Sequence, residues 1–315
     1  MAASVVASVA LPISNNFSFA PSMDAYGKLS EYGKLGAWSP LSLFAASEVG
    51  AWYDPSDLST MFQDRAGTTP VTADGQTVGL ILDKSKVLVL GSELVTNGDF
   101  SSATGWSVPA GLTIGGGVAT ATAASGYLYR LGNSIVAGRT YEVSFDVSGY
   151  SGTATIRGYI QASPVFGSTV SGNGHFTHRL TATATNVNSE CGLNMSSGFN
   201  GVIDNFSIKE IAGNHAVAPS DAARPLKTST GAADWINYDA VDDVLNTTFP
   251  SSLGSSCTVC RANVGGAPTI LTGQTIGTSY TDSTDHAGLI IINRALTGQE
   301  TTDVTAWLLA KGATA

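Results

Sequence analysis

Trp52-Tyr53-Asp54-Pro55-Ser56-Asp57, followed by Leu82-Asp83-Lys84-Ser85, reads as the opening of a β domain. Its continuation, Gly213-Asn214-His215-Ala216, Arg224-Pro225 and Asp239-Ala240-Val241-Asp242-Asp243, comes only after a long interruption. The interruption has a style of its own. Tyr141-Glu142-Val143-Ser144-Phe145-Asp146-Val147, Ala154-Thr155-Ile156-Arg157-Gly158-Tyr159-Ile160 and Phe206-Ser207-Ile208 alternate with period two between Gly, Asn and Ser turns, with no helical stretch. That pattern is the mark of a β-sandwich or jelly roll. The expected fold is all-β: two jelly-roll β-sandwiches, one inserted in a loop of the other, plus an N-terminal arm and a C-terminal helix. The expected boundaries are 1–45 for the arm with a short helix, 46–85 and 213–315 for the split sandwich, and 86–212 for the insert.

Composition agrees with a binding or display protein. Of the 315 residues, 43% are hydrophobic and only 12% are charged, about half the usual charged share of ~25%. Hydroxyl and amide side chains therefore solvate the surface. Fifteen basic against 24 acidic residues give a net charge of −9, with no Lys/Arg cluster, so a surface that tracks nucleic-acid phosphates is not expected. The apolar N-terminus, Met1 to Pro12, lacks the basic stretch of a secretory signal, and its apolar run is too short to span a bilayer. No membrane insertion is expected, and both chain ends are expected to pack within a larger assembly.

The local signals are specific. Tyr26-Gly27-Lys28-Leu29 and Tyr32-Gly33-Lys34-Leu35 form a small tandem repeat in the arm, read either as a Gly-punctuated loop or as a docking peptide. Ser39-Pro40 is a helix start, with that helix expected to end near Gly50. Gly75 signals a hairpin turn, and Val78, Leu80 and Leu82 alternate as a half-buried strand. Thr297-Gly298-Gln299-Glu300 fits a capping box, Val304, Trp307 and Leu308 form one helical stripe, and Gly312 suits the position just past the helix end. If that stripe covers the outside of the split sandwich, Trp307→Ala costs about 3–5 kcal/mol.

No motif announces catalysis. There is no Gly-x-Ser-x-Gly elbow, no phosphate-binding Gly-x-x-x-x-Gly-Lys loop and no dinucleotide fingerprint. Carboxylates are plentiful, but no pair is picked out for glycoside hydrolysis. His175 and His178 lie three apart in an alternating run and so face opposite ways. The same holds for Cys257 and Cys260, which read as buried small side chains rather than a zinc or redox pair. The chain is not expected to be an enzyme.

Leu94-Val95-Thr96-Asn97-Gly98-Asp99-Phe100, Gly105-Trp106, the Tyr141–Val147 strand and Gly201-Val202-Ile203-Asp204-Asn205-Phe206-Ser207-Ile208 together resemble the jelly-roll carbohydrate-binding modules found beside polysaccharide hydrolases. The resemblance implies paired first and last strands near a structural calcium, with Asp99 and Asp204 as the candidate ligands. The other reading is that both residues cap turns. It also implies aromatic faces for sugars, with Trp106, Tyr127, Tyr129, Tyr150 and Tyr159 as candidates and Phe166 and Phe176 beside them. Some members of that family have lost sugar binding and serve as spacers.

Gly50–Asp57, Phe62-Gln63-Asp64, Leu82–Ser85, Gly213–Ala216, Asp239–Asp243, Leu271–Thr275 and Ile290–Thr297 resemble a concanavalin/laminin-G type of jelly roll, closest to a group in tailed-phage virion and fibre proteins. There, carboxylates such as Asp54, Asp57, Asp242 and Asp243 either bind a metal or hold loops. The resemblance implies a virion structural protein of the tail fibre or adsorption apparatus. Its arm would dock to other virion proteins, it would form a symmetric homo-oligomer, and its partner would be a host surface polysaccharide. The alternatives are a passive head-fibre or decoration protein and a secreted bacterial polysaccharide-binding protein.

Overall fold

The strand Gly288–Ile292, Gly-Leu-Ile-Ile-Ile, is buried at every position, and this single strand organises the outer sandwich. It pairs antiparallel with Gly50–Tyr53 on one side and Gly254–Ala262 on the other. The computed structural model describes residues 38–312 apart from Ala162 and Ala232. The Tyr-Gly-Lys-Leu repeat and the docking role assigned to the arm lie outside the described residues.

Gly50–Tyr53, Gly288–Ile292, Gly254–Ala262 and Thr269–Ile276 form a four-stranded sheet in that order. A five-stranded sheet runs Ser279–Asp282, Leu245–Thr248, Ala216–Val217, Leu80–Ile81, Met61–Phe62. Alternation sends Ala51, Tyr53, Val259, Leu289 and Ile291 from the first sheet into one core with Met61, Ile81, Ala216 and Leu245 from the second. The opposite set, Trp52, Cys260, Ile290 and Ile292, is also buried, because the helix Gly298–Gly312 packs over that face. A strand covered on both sides must be apolar throughout, which explains the unbroken Ile run.

Nine strands between Leu90 and Ile211 form a separate sheet system and pair only with one another. The longest, Asn186–Ile211, pairs with Val118–Ile135 from Asn186 to Ile203, with Ile156–Ile160 along its first half, and with Thr140–Ser151 and Leu90–Glu93 along its second. Its register shifts between Met195 and Phe199, a bulge that lets one strand serve both layers. The layers enclose a core of Leu128, Val143, Phe145, Leu193, Phe199 and Ile208, among others. The segments flanking this system share a sheet of their own. Ala216 pairs with Ile81 and Val217 with Leu80, and the N–H of Asn214 donates to Asp83 Oδ2 at 2.8 Å. The fold is thus all-β with one C-terminal helix.

Several expectations need correction. The helix begun by Ser39, whose Oγ accepts from the Leu41 N–H at 3.3 Å, is a 3-10 turn that stops at Phe44. The chain turns at Ser47, which has φ of 72°, and Gly50 already lies in a strand. Gly75, with φ of 75°, makes a turn, but its N–H donates to the Lys227 carbonyl rather than closing a local hairpin. Val78 to Leu82 is buried on both faces and only Leu80–Ile81 forms a strand. Val78 and Ile81 join the inter-sheet core while Leu80 and Leu82 pack on Phe62. The inserted strands supply further cover there: the Arg179 guanidinium lies 5.9 Å from the Phe62 ring.

The C-terminal helix has its reciprocal capping box. Glu300 N–H donates to Thr297 Oγ1 at 3.2 Å, and Thr297 N–H donates to Glu300 Oε2 at 2.8 Å. Gly312 belongs to the helix rather than following it, and a side chain there would collide with the Asn263 carbonyl. Cys257 lies between the sheets and Cys260 under the helix; both are free thiols.

Candidate functional site

Side chains on the non-core face of the inserted sheet fall into rows set by strand register. Phe166 sits opposite Tyr159, Tyr159 opposite Gly192, Gly192 opposite Tyr129, and Tyr129 opposite Ser107. In the adjoining row Arg157 sits opposite Asn194, and Asn194 opposite Tyr127. The core-facing neighbours Ile156, Ile160, Leu193 and Leu128 alternate with these residues, so period two assigns Tyr127, Tyr129, Arg157 and Tyr159 to one surface.

Tyr127, 43% exposed, stands edge-on to Tyr159 at 5.3 Å between ring centroids. Phe166 lies 5.8 Å from Tyr159 and 6.4 Å from Tyr127. The Arg157 guanidinium is 3.6 Å from the Phe166 ring centroid, and its Nε donates to Asn194 Oδ1 at 3.2 Å. The stacked cation is held flat against the ring. At the centre Gly192 has no side chain, and one there would strike the Leu128 carbonyl oxygen. The result is an apolar cluster of three aromatic rings, Tyr127, Tyr159 and Phe166, with Gly192 between Tyr159 and Tyr129 and an amide and a guanidinium alongside.

Tyr159 forms the floor rather than an open face. It is 1% exposed and its hydroxyl has no hydrogen-bond partner. Burial pushes that hydroxyl well above the ordinary tyrosine range, so it is a neutral donor and acceptor. A buried, unpaired hydroxyl costs about 1–3 kcal/mol.

The remaining candidates lie elsewhere. Trp106 is buried between Phe100 and Phe206, and its Nε1 donates to the Asn97 carbonyl at 3.0 Å; it is a core residue, not a sugar platform. Tyr150 packs on Phe199, and its hydroxyl donates to the carbonyls of Gly152 and Ala154, pinning its own turn. Phe176 stacks on the core residue Phe145. Arg157 and Asn194 were missed, although Arg157 precedes Tyr159 by two in an alternating strand and so had to share its face.

Asp99 Oδ1 accepts from the Ser101 N–H and Asp204 Oδ1 from the Asn205 N–H, each holding its own turn. Calcium requires about six to eight oxygens. Among the described residues, the one trio of metal-type side chains with ligand atoms within 4.8 Å is Asp239, Asp242 and Asp243. The carboxylates of Asp239 and Asp243 accept hydrogen bonds from their own loop's N–H groups. Asp54 and Asp57 are engaged by Lys84, and Asp54 by Lys311 as well.

No protein-family model matches the chain, and no curated protein matches it.

Proposed function

We propose that the chain is a structural and display component of a tailed-phage virion, of the tail-fibre or adsorption type. In this reading 86–212 is a jelly-roll module carried in a loop of a concanavalin/laminin-G-like jelly roll formed by 46–85 and 213–315. The N-terminal arm docks to other virion proteins, the assembled form is a symmetric homo-oligomer, and the module displays its aromatic platform to a host surface polysaccharide. The reading is non-catalytic. The virion assignment draws on the resemblances and the sparsely charged composition. The glycan assignment draws on one observation, the row Phe166–Tyr159–Gly192–Tyr129 with Tyr127 beside it, an apolar surface with polar rim groups of the kind sugar rings stack on. Weak single-site affinity suits such a surface, because many copies on one particle multiply it through effective concentration.

The passive reading, a head-fibre or decoration protein without glycan binding, draws on the burial of Trp106 and Tyr159. Two measurements separate the readings. The protein is screened on arrays of host surface polysaccharides beside its Tyr127→Ala and Phe166→Ala variants. Binding that both variants lose by tenfold or more supports the platform, and silence on every glycan leaves the passive role. Imaging of particles carrying a labelled chain tests the virion assignment itself, and particles without label would end it.

A further inference from the structure

A second recess lies where the inserted strands meet the outer sandwich. It is an open cleft of about 510 Å³, within the roughly 300–1,000 Å³ range of small-molecule sites and at the kind of junction where such sites concentrate. The outer sandwich lines it with Arg65, Ala218 and Asn246, and the insert lines it with Val165, Ala182 and Thr183. The two sides are tied at the cleft: the Thr181 N–H donates to the Ala66 carbonyl at 3.2 Å, and Ser168 Oγ donates to the Thr68 carbonyl at 3.3 Å.

Arg65 is the distinctive group. Its Nε donates to the Ala218 carbonyl at 2.8 Å, which fixes the plane of the guanidinium. Among the described residues no carboxylate lies within 4.0 Å of it, whereas the neighbouring Asp64 is occupied by the N–H groups of Thr68 and Thr69 and the Thr68 hydroxyl. Asp221 stands at the exposed margin, 3.9 Å from Arg224. His215, the remaining ionisable residue of the lining, is neutral and engaged at both ring nitrogens, by the Asp83 N–H and the Ile211 carbonyl. The cleft therefore offers one oriented cationic fork, which matches a carboxylate with two parallel hydrogen bonds. The lining also carries Thr248, Thr183, whose hydroxyl donates to Gln161 Oε1 at 3.2 Å, and Asn246, whose Oδ1 accepts from the Thr281 hydroxyl at 2.7 Å and whose amide N–H groups remain to donate, together with the apolar Ala182, Val217 and Ala218.

We infer that this cleft is a binding site for a single hexuronate-type sugar, its carboxylate on Arg65 and its ring hydroxyls on the amide and threonine groups. The net charge of −9 disfavours a long polyanion, so the ligand is a short or terminal acidic sugar. The inference is independent of the aromatic platform.

The test is calorimetric titration of the full chain with D-glucuronate and D-galacturonate, each beside its neutral counterpart, D-glucose or D-galactose, and beside acetate. At least one uronate is expected to bind one site per chain at least tenfold tighter than its neutral counterpart and than acetate. Arg65→Gln should lose at least tenfold of that affinity and Arg65→Lys less. Thr248→Trp, an exposed change at the rim, should block the cleft without touching the core. Tyr127→Ala should bind the uronate unchanged, which separates this site from the platform. Absence of binding for both uronates, equal binding of the neutral sugars, or affinity that survives both Arg65→Gln and Thr248→Trp would overturn the inference.

Discussion

The main-chain N–H of Asp83 donates to Nδ1 of His215 at 2.9 Å, although the whole nine-stranded sheet system lies between them in the chain. The contact is buried, with Asp83 at 0% and His215 at 3% exposure. The Asp83 carboxylate also accepts from the N–H groups of Trp52, Ser85 and Asn214. One side chain thereby stitches together the strand before the interruption, the turn that leads into it and the turn that leads out.

This junction predicts two opposed pH dependences. Burial pushes the Asp83 carboxyl up to about 6, against the hydrogen bonds it accepts, and burial pushes the His215 imidazole down to about 4. The folded chain protonates Asp83 at a higher pH than the unfolded chain does, so acidification through about 6 stabilises the fold. The unfolded chain protonates His215 near pH ~6.5 and the folded chain resists until about 4, so acidification through that window destabilises it. Each contribution is on the order of 3 kcal/mol, and in the native protein they largely cancel. Urea denaturation between about pH 6.5 and 4.5 should show His215→Gln gaining stability relative to the wild type as pH falls, and Asp83→Asn losing it. Parallel curves for all three proteins would rule this out.

The C-terminal helix is held through Trp307, which meets Trp52 edge-on at 6.1 Å and lies over Gly288, where an added Cβ would come within 2.6 Å of the ring. Trp307 is half-buried, so the loss on truncation falls below that of an enclosed tryptophan. Trp307→Ala should lower stability by about 2–3 kcal/mol rather than 3–5, and Gly288→Ala should lower it too by displacing the ring. Thermal or urea unfolding measures both, and an unchanged midpoint for Trp307→Ala would mean the helix is held by Val304 and Leu308 alone.

Gly192→Ala is expected to cost about 3 kcal/mol or more, since the new methyl meets backbone, the Leu128 carbonyl, and not a side chain that can move. Chemical denaturation gives the number. A loss under about 0.5 kcal/mol, the usual range of surface changes, would show that the sheet relaxes there.

What could be read from sequence follows the range of the interactions. The capping box at Thr297 and Glu300 is local and its geometry was legible. So was the shared face of Tyr127 and Tyr129, which needs only period two. The row that joins Tyr129 to Tyr159 and Phe166 was not legible, because it depends on cross-strand register between the shifts at Ser189/Cys191 and Met195/Phe199. Burial was misread where a second layer intervenes. Val78 to Leu82 alternates on paper, yet the outer face of that strand is closed by Phe62 and the inserted strands. Trp106 looked like a sugar platform because nothing in its neighbours shows that Phe100 and Phe206 enclose it.

Tyr159→Phe separates stability from recognition at the platform. The hydroxyl is buried and unpaired, so removing it takes away an unmet polar group while keeping the ring that supports Tyr127 and Phe166. Stability should rise by about 1 kcal/mol. If the platform holds a sugar through that hydroxyl, the same change should weaken glycan binding severalfold while Tyr127 and Phe166 keep their packing. A stabilised variant with undiminished binding would show that the ring alone serves the surface. A destabilised variant would mean that the hydroxyl has a partner in solution.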